Sequence, residues 1–328
     1  MKKLSLFGIV ILFITTILFS SFIKISDPIP NPPDEFETLV NYLEANNNFI
    51  NGELPIISAD EVKKNMKDPK FHLIDIRTDS WFEYAHIKGA ANVKAENLLT
   101  YFETKINPTN FDKIVIMCYS GQSAAYYTSL LRLAGYDNVY SMKWGMSSWR
   151  EDFANGAWNK NISNEFASKL ETTPNAQPSK GSHPTLNTGK AEAKEILKAR
   201  LTTLFKQPYS DLIVKAADVF ESPANYFVIN YNSSENYDFG HIPSAVRYAP
   251  NTSLTTSSDL YTIPVDKKVA VYETTGQKAA FVVAYLNLLG YEIGNVAYGE
   301  NSFMNEVLID QDRDAFTNKE INMYPVVE

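Results

Sequence analysis

Cysteine is almost absent from this chain: Cys118 is the only one in 328 residues. A single thiol excludes an internal disulfide framework and any metal site built from several cysteines. Histidine is scarce too, and His72, His86, His183 and His241 show no ligand spacing, so neither a metal nor another cofactor is expected. No dense lysine or arginine run occurs and the net charge is −8, which argues against nucleic acid as a partner. What is abundant is apolar: hydrophobic residues make up 45% of the chain, a globular composition with length for two ordinary domains.

The stretch Ile114 to Ala125 carries the most chemistry. Ile114 to Met117 read as a short buried strand, Tyr119 to Ser123 as a tight loop, and the run from Ala124 as a helix stopped by Gly135. Strand, loop and helix N-terminus together make an anion-binding nest of converging backbone N–H groups. Cys118 sits at its mouth, where the thiolate is expected to be favoured relative to the free-thiol pKa of about 8.5. The amides of residues 119–123 are the candidate donors to a sulfur anion. The hydroxyls of Tyr119 and Ser123 are candidates for the oxyanion end of a substrate, and Gly121 permits the tight turn.

The chain repeats itself at an offset of 155 residues. Gly121, Gln122, Ala124, Ala125, Gly135 and Tyr136 recur as Gly276, Gln277, Ala279, Ala280, Gly290 and Tyr291, and His86-Ile87 recurs as His241-Ile242. Strands alternate with helices in each copy, which predicts an α/β fold with a parallel sheet covered on both faces. The expected copies span 55–155 and 208–328. Residues 156–207 are expected to be a connection, with a flexible linker over Thr172 to Lys190 and a helix over Ala191 to Phe205. In the second copy Glu273 stands where the first has Cys118, so that loop carries no thiol. Its carboxylate is expected to occupy its own nest, paired with Lys278, and the copy to act as a lid or wall beside Cys118.

The N-terminus is organised differently. Leu4 to Ile23 are 20 residues without a charge, flanked by Lys2-Lys3 and Lys24, long enough as a helix to span a bilayer. Residues 1–25 are therefore expected to be an uncleaved membrane anchor or a cleaved signal peptide, with the body exported to a bacterial periplasm or cell envelope. Residues 26–54 are a Pro-rich spacer, then a helix over Asp34 to Ala45 that packs Phe36, Leu39, Val40 and Leu43 on the domain that follows.

Four segments taken together, Leu73 to Arg77, Glu83 to Asn92, Cys118 to Ser123 and Gly145 to Trp149, resemble the rhodanese (sulfurtransferase) family in order and spacing. The resemblance extends over both copies and implies two tandem rhodanese-like domains after an N-terminal hydrophobic helix. It implies that Cys118 is the nucleophile that takes sulfane sulfur from thiosulfate or a persulfide or polysulfide donor and passes it to a thiophilic acceptor, with Tyr119, Ser120, Gly121, Gln122 and Ser123 around the substrate. Small sulfur-containing anions and thiols are the expected partners. Asp75, Arg77, Glu83 and His86 are expected to brace the fold rather than react. The common family loop ends in arginine where this chain has Ser123, which removes a bidentate anion clamp. The competing reading is an inert scaffold that docks a partner at the membrane surface.

Overall fold

Alternation along one strand sets the layering. In Lys113–Met117, Ile114 and Ile116 enter one hydrophobic core while Val115 and Met117 enter another. Successive side chains of a strand point to opposite faces, so a strand apolar at both sets of positions must be covered twice. This computed structural model describes residues 33–46, 50 and 52–328. The expected anchor or signal segment and the proline-rich spacer to residue 32 lie outside the described residues. Among the described residues no helix is long and apolar enough to cross a membrane.

Two five-stranded sheets are present. The first holds β1 (Ile56–Ile57), β2 (Phe71–Asp75), β3 (Ala91–Asn92), β4 (Lys113–Met117) and β5 (Val139–Met142) in the order β1-β5-β4-β2-β3. The second holds β6 (Ile213–Val214), β7 (Tyr226–Asn230), β8 (Val246–Arg247), β9 (Lys268–Tyr272) and β10 (Ile293–Val296) in the order β6-β10-β9-β7-β8. Every pairing within the sheets is parallel, and position for position the two orders coincide. In the first half the helices are α1 (Glu35–Asn46), α2 (Ala59–Asn65), α3 (Asp79–Tyr84), α4 (Leu98–Thr104), α5 (Gln122–Leu133) and α6 (Glu151–Gly156). Then follow α7 (Ala193–Leu204), α8 (Ala216–Glu221), α9 (Ser234–Phe239), α10 (Gln277–Leu288) and α11 (Asn301–Asp310).

The inner faces of the two sheets share one core. Ile114 and Ile116 of β4, Val269 and Val271 of β9, and the residues of α5 and α10 belong to a single buried cluster. The outer faces have separate cores, around Val62, Trp149 and Phe153 in the first half and Val219, Phe303 and Leu308 in the second. Both central helices are buried nearly all round: in α10 only Lys278 is exposed. A helix apolar on every side has no solvent face and needs cover on every side. Ser129 in α5 donates its hydroxyl to the carbonyl of Phe281 in α10 at 3.0 Å, tying the pair across the junction.

Two expectations about the connections change. α1 buries the predicted stripe of Phe36, Leu39, Val40 and Leu43, but it does not rest on the first half alone. Phe36 stacks on His183 at 4.3 Å, the Tyr261 hydroxyl donates to Glu37, and Thr256 donates to Glu44, so the helix straps onto the second half. A helical stripe shows which face is buried and not what covers it. The segment 172–190 has no regular secondary structure, yet it is not a loose tether. Leu186 is buried, the Gly181 amide donates to the Tyr261 carbonyl, and the Thr188 and Gly189 amides donate to the Glu35 carboxylate. Those bonds hold the Glu35 carboxyl below its usual range against the opposing effect of burial.

A shared core predicts coupled unfolding. Leu286 in α10 is fully buried, and truncating a buried leucine to alanine costs about 2–5 kcal/mol. Leu286→Ala should therefore lower hydrogen-exchange protection in β4 of the first half together with β9 of the second. Loss of protection in β9 alone would show that the halves unfold independently.

Candidate active site

Cys118 follows directly on β4, and Gly121, at a φ of 89°, turns the chain into α5. That left-handed conformation is one a side chain disfavours. The turn brings the Gly121 amide to 3.1 Å and the Ala124 amide to 3.4 Å from the Cys118 Sγ, both donating to it. The loop carbonyls are tied outward. Cys118 O accepts from the Met146 amide at 2.8 Å, and Tyr119 O from the Ser147 amide at 3.1 Å and its hydroxyl at 2.9 Å. Ser120 O accepts from the Trp158 indole at 3.0 Å, and Gly121 O from the Ser141 hydroxyl at 3.3 Å. With the carbonyls held away, the N–H groups are left to face the sulfur.

The loop is backed by a second left-handed turn, Trp144-Gly145, with φ of 62° and 60°. A Cβ on Gly145 would lie 2.5 Å from the Gly121 nitrogen and 2.6 Å from the Cys118 oxygen, so the two turns can nest only because this residue is glycine. Arg77 and Asp75 form a fully buried ion pair at 2.7 Å, and Arg77 also donates to the Ala85 carbonyl at 2.8 Å. His86 meets the Phe82 carbonyl at 2.9 Å through Nδ1. These groups connect β2 to the segment after α3 and do not contact Sγ.

The sequence-predicted substrate residues divide. The Gly121 amide and the Ser123 hydroxyl act on Cys118. Tyr119 turns its hydroxyl to Thr78, accepting from that amide at 3.2 Å, with its ring edge-on to Trp81. Gln122 leaves the pocket: its Oε1 accepts from the Tyr298 amide of the second half at 2.7 Å, and its Nε2 donates to the Ser120 hydroxyl at 3.1 Å. Sequence reasoning missed Trp158, Tyr209 and Tyr298. Trp158 bonds the loop directly, and the two tyrosines stand within electrostatic range of Cys118. The recurrence of Gln122 as Gln277 was the available signal that this loop faces its own counterpart.

Burial changes the expected state of the thiol. Cys118 is 2% exposed, and desolvation pushes the thiol up, outweighing the Ser123 hydroxyl and the Ala124, Gly121 and Ser120 amides that favour the thiolate. The nest alone predicts the opposite direction, because a local pattern contains the donors and not the roof. Tyr298 is itself pushed up to about 12, chiefly by the same burial.

In the second half Glu273 folds onto its own loop. Its carboxylate accepts from the Thr275 amide at 2.8 Å, the Thr275 hydroxyl at 2.8 Å and the Lys278 amide at 3.1 Å. Lys278 thus contributes its backbone; its ammonium makes no ion pair among the described residues and stays exposed, unlike the pairing expected from the sequence. Asn230 and Asn232 stand where the first half has Asp75 and Arg77, and a different pair fills the gap. Glu300, fully buried, accepts from Arg313, from the Asn232 side chain at 3.0 Å and from the Thr274 hydroxyl at 3.0 Å. A cavity of about 610 Å³ opens beside this network, lined by Thr274, Lys278, Asn232 and Arg313 among others.

Burial, helped by the nearby Glu273, raises the Glu300 carboxyl from 4.5 to about 7, against the opposing pull of Arg313 and Thr274. The folded state then holds a proton that the unfolded chain has released above pH 4.5. That contribution is complete below the unfolded value and lost as pH rises through about 7. Chemical denaturation across this window should show stability falling by on the order of 3 kcal/mol, and Glu300→Gln should flatten the slope. An unchanged slope in the variant would assign the proton to another group.

The family model that matches this chain falls within the first half. Residues 58–152 match the model of the rhodanese-like domain. The thiosulfate sulfurtransferase GlpE of Shewanella oneidensis is 31% identical over 96 residues, which is 29% of this chain and 91% of that protein. GlpE of Tolumonas auensis is 32% identical over 96 residues, 29% of this chain and 86% of that protein. Among solved structures, SseA of Escherichia coli, described with the 3-mercaptopyruvate sulfotransferases, aligns over 75% of this chain and 98% of its own, at 18% identity and a TM-score of 0.28.

Proposed function

The chain belongs to the rhodanese-like family, and on that premise we propose that it is an exported sulfurtransferase working through a persulfide on Cys118. The observation that carries this reading is the Cys118 sulfur held by the Gly121 and Ala124 amides at the end of β4. The deprotonated Sγ attacks the outer sulfur of the donor. A Cys118–sulfur bond forms as the donor's own bond to that sulfur breaks, and the leaving group departs with the electron pair, as sulfite where the donor is thiosulfate. The outer sulfur now carries the negative charge, and each N–H···anion bond there is worth about 1.5–3 kcal/mol. A cyanide or thiol acceptor then attacks the outer sulfur, and the Cys118 thiolate leaves.

Ser123 supplies a hydroxyl where an arginine would clamp an oxyanion, and a hydroxyl carries no formal charge. This favours persulfide or polysulfide donors over the dianion thiosulfate. Export rests on the uncharged segment Leu4 to Ile23. The rival reading, a docking scaffold, draws support from the buried state of Cys118, whose thiol is pushed up.

Incubation with polysulfide or thiosulfate should add one sulfur atom to the intact mass, located on Cys118, and cyanide should release it as thiocyanate. Cys118→Ser should abolish both the gain and the turnover, since no other cysteine exists to substitute. A wild-type chain that gains no sulfur from either donor would turn the reading to the docking scaffold.

A further inference from the structure

The half without a cysteine reaches into the half that has one. Gln277, the residue after the second loop's turn, is 1% exposed. Its Oε1 accepts from the Trp144 amide at 2.7 Å and its Nε2 donates to the Met142 carbonyl at 3.2 Å. The same side chain lies where a Cβ on Gly121 would fall, so it presses directly on the residue whose amide faces Sγ. Its contacts therefore flank the nest. On one side stands Gly121; on the other stands the Trp144-Gly145 turn, whose next two amides, Met146 and Ser147, hold the Cys118 and Tyr119 carbonyls. The arrangement is reciprocal, for Gln122 accepts from Tyr298 in the equivalent left-handed turn, with φ of 62° at Tyr298 and 55° at Gly299. Only one direction of this exchange ends on a cysteine.

We propose that Gln277 is a positioning residue for sulfur transfer at Cys118, so that the second half completes the active site of the first. The proposal rests on the sulfurtransferase reading for its kinetic consequence and on geometry alone for its structural one. Without the Gln277 oxygen, the Trp144 amide has lost its buried acceptor, and the turn that ties back the loop carbonyls has lost its anchor. Small misplacements of a reacting group cost large factors in rate, up to about a hundredfold per ångström.

The test replaces Gln277 by methionine, of similar length and without the acceptor, in the full chain. Gln277→Met should slow single-turnover sulfur transfer about tenfold or more. Hydrogen exchange at the Met146 and Ser147 amides should accelerate about tenfold or more, since local opening there becomes easier. Ser129→Ala, which removes a different bond between the halves, should move neither readout while lowering overall stability. Gln277→Glu, measured at a pH low enough to keep its carboxyl neutral, retains an oxygen for the Trp144 amide and a donor for the Met142 carbonyl, and should return both readouts to within about threefold of wild type at that pH. If Gln277→Met does not fold, Gln277→Asn, one methylene shorter, is judged by the same two readouts. Exchange at Met146 and Ser147 no faster than in Ser129→Ala would overturn the proposal. Absence of transfer in the wild type would instead count against the sulfurtransferase reading, with the exchange data still deciding the role of Gln277.

Discussion

Everything in this molecule depends on the burial of two helices back to back. α5 and α10 are apolar on nearly every face, and each lies between its own sheet and the other helix. Neither half offers enough cover to bury its central helix alone. The strap formed by α1 and the segment 172–190 then closes over the junction. The loops that begin these helices are consequently forced against one another, because a loop at the N-terminus of a helix goes where the helix goes. The exchange of Gln122 and Gln277 is the local consequence of that packing. Each glutamine finds, in the opposite half, a left-handed turn whose amide lacks a partner of its own.

The second loop shows how the same turn is satisfied without a cysteine. A nest of inward-facing amides needs an anion or another acceptor, since buried N–H groups left unpaired cost about 1–3 kcal/mol each. In the first half that acceptor is sulfur; in the second it is the Glu273 carboxylate, carried on a side chain long enough to bend back onto the loop. The buried ion pair shows the same economy of form. Asp75–Arg77 is absent from the second half, and Glu300–Arg313, drawn from elements later in the chain, stands with Asn232 in its place. Replacing both partners together is tolerable, whereas losing one would leave a buried charge unmatched.

Local features were readable from the residues. The 155-residue offset places β4 on β9 and α5 on α10 residue for residue. Glu273 in its own nest followed from a carboxylate standing where the first copy has its thiol. What escaped was direction across the junction. Gln122 reads as a substrate contact because it belongs to the cysteine loop, yet its side chain leaves that loop for Tyr298. Tyr209 and Tyr298 are distant from Cys118 along the chain, and no local periodicity marks them as its neighbours. The covering of α1 was hidden for the same reason: amphipathic spacing carries no address.

The state of Cys118 expresses this conflict between local and global structure. Its own segment assembles a hydroxyl and three amides that favour the thiolate, while burial removes the water that would have favoured it more. The balance lies with the thiol in the resting molecule. A persulfide differs from a thiolate in one respect that matters here: its charge sits on an atom one bond further out, beyond the parent sulfur. The same enclosure that suppresses the resting thiolate also limits collisions with oxidants, and reactivity at cysteine follows both thiolate character and exposure. The donors within the loop and the desolvation around it therefore act on Cys118 in opposite directions, and a reading of the loop alone sees only the first.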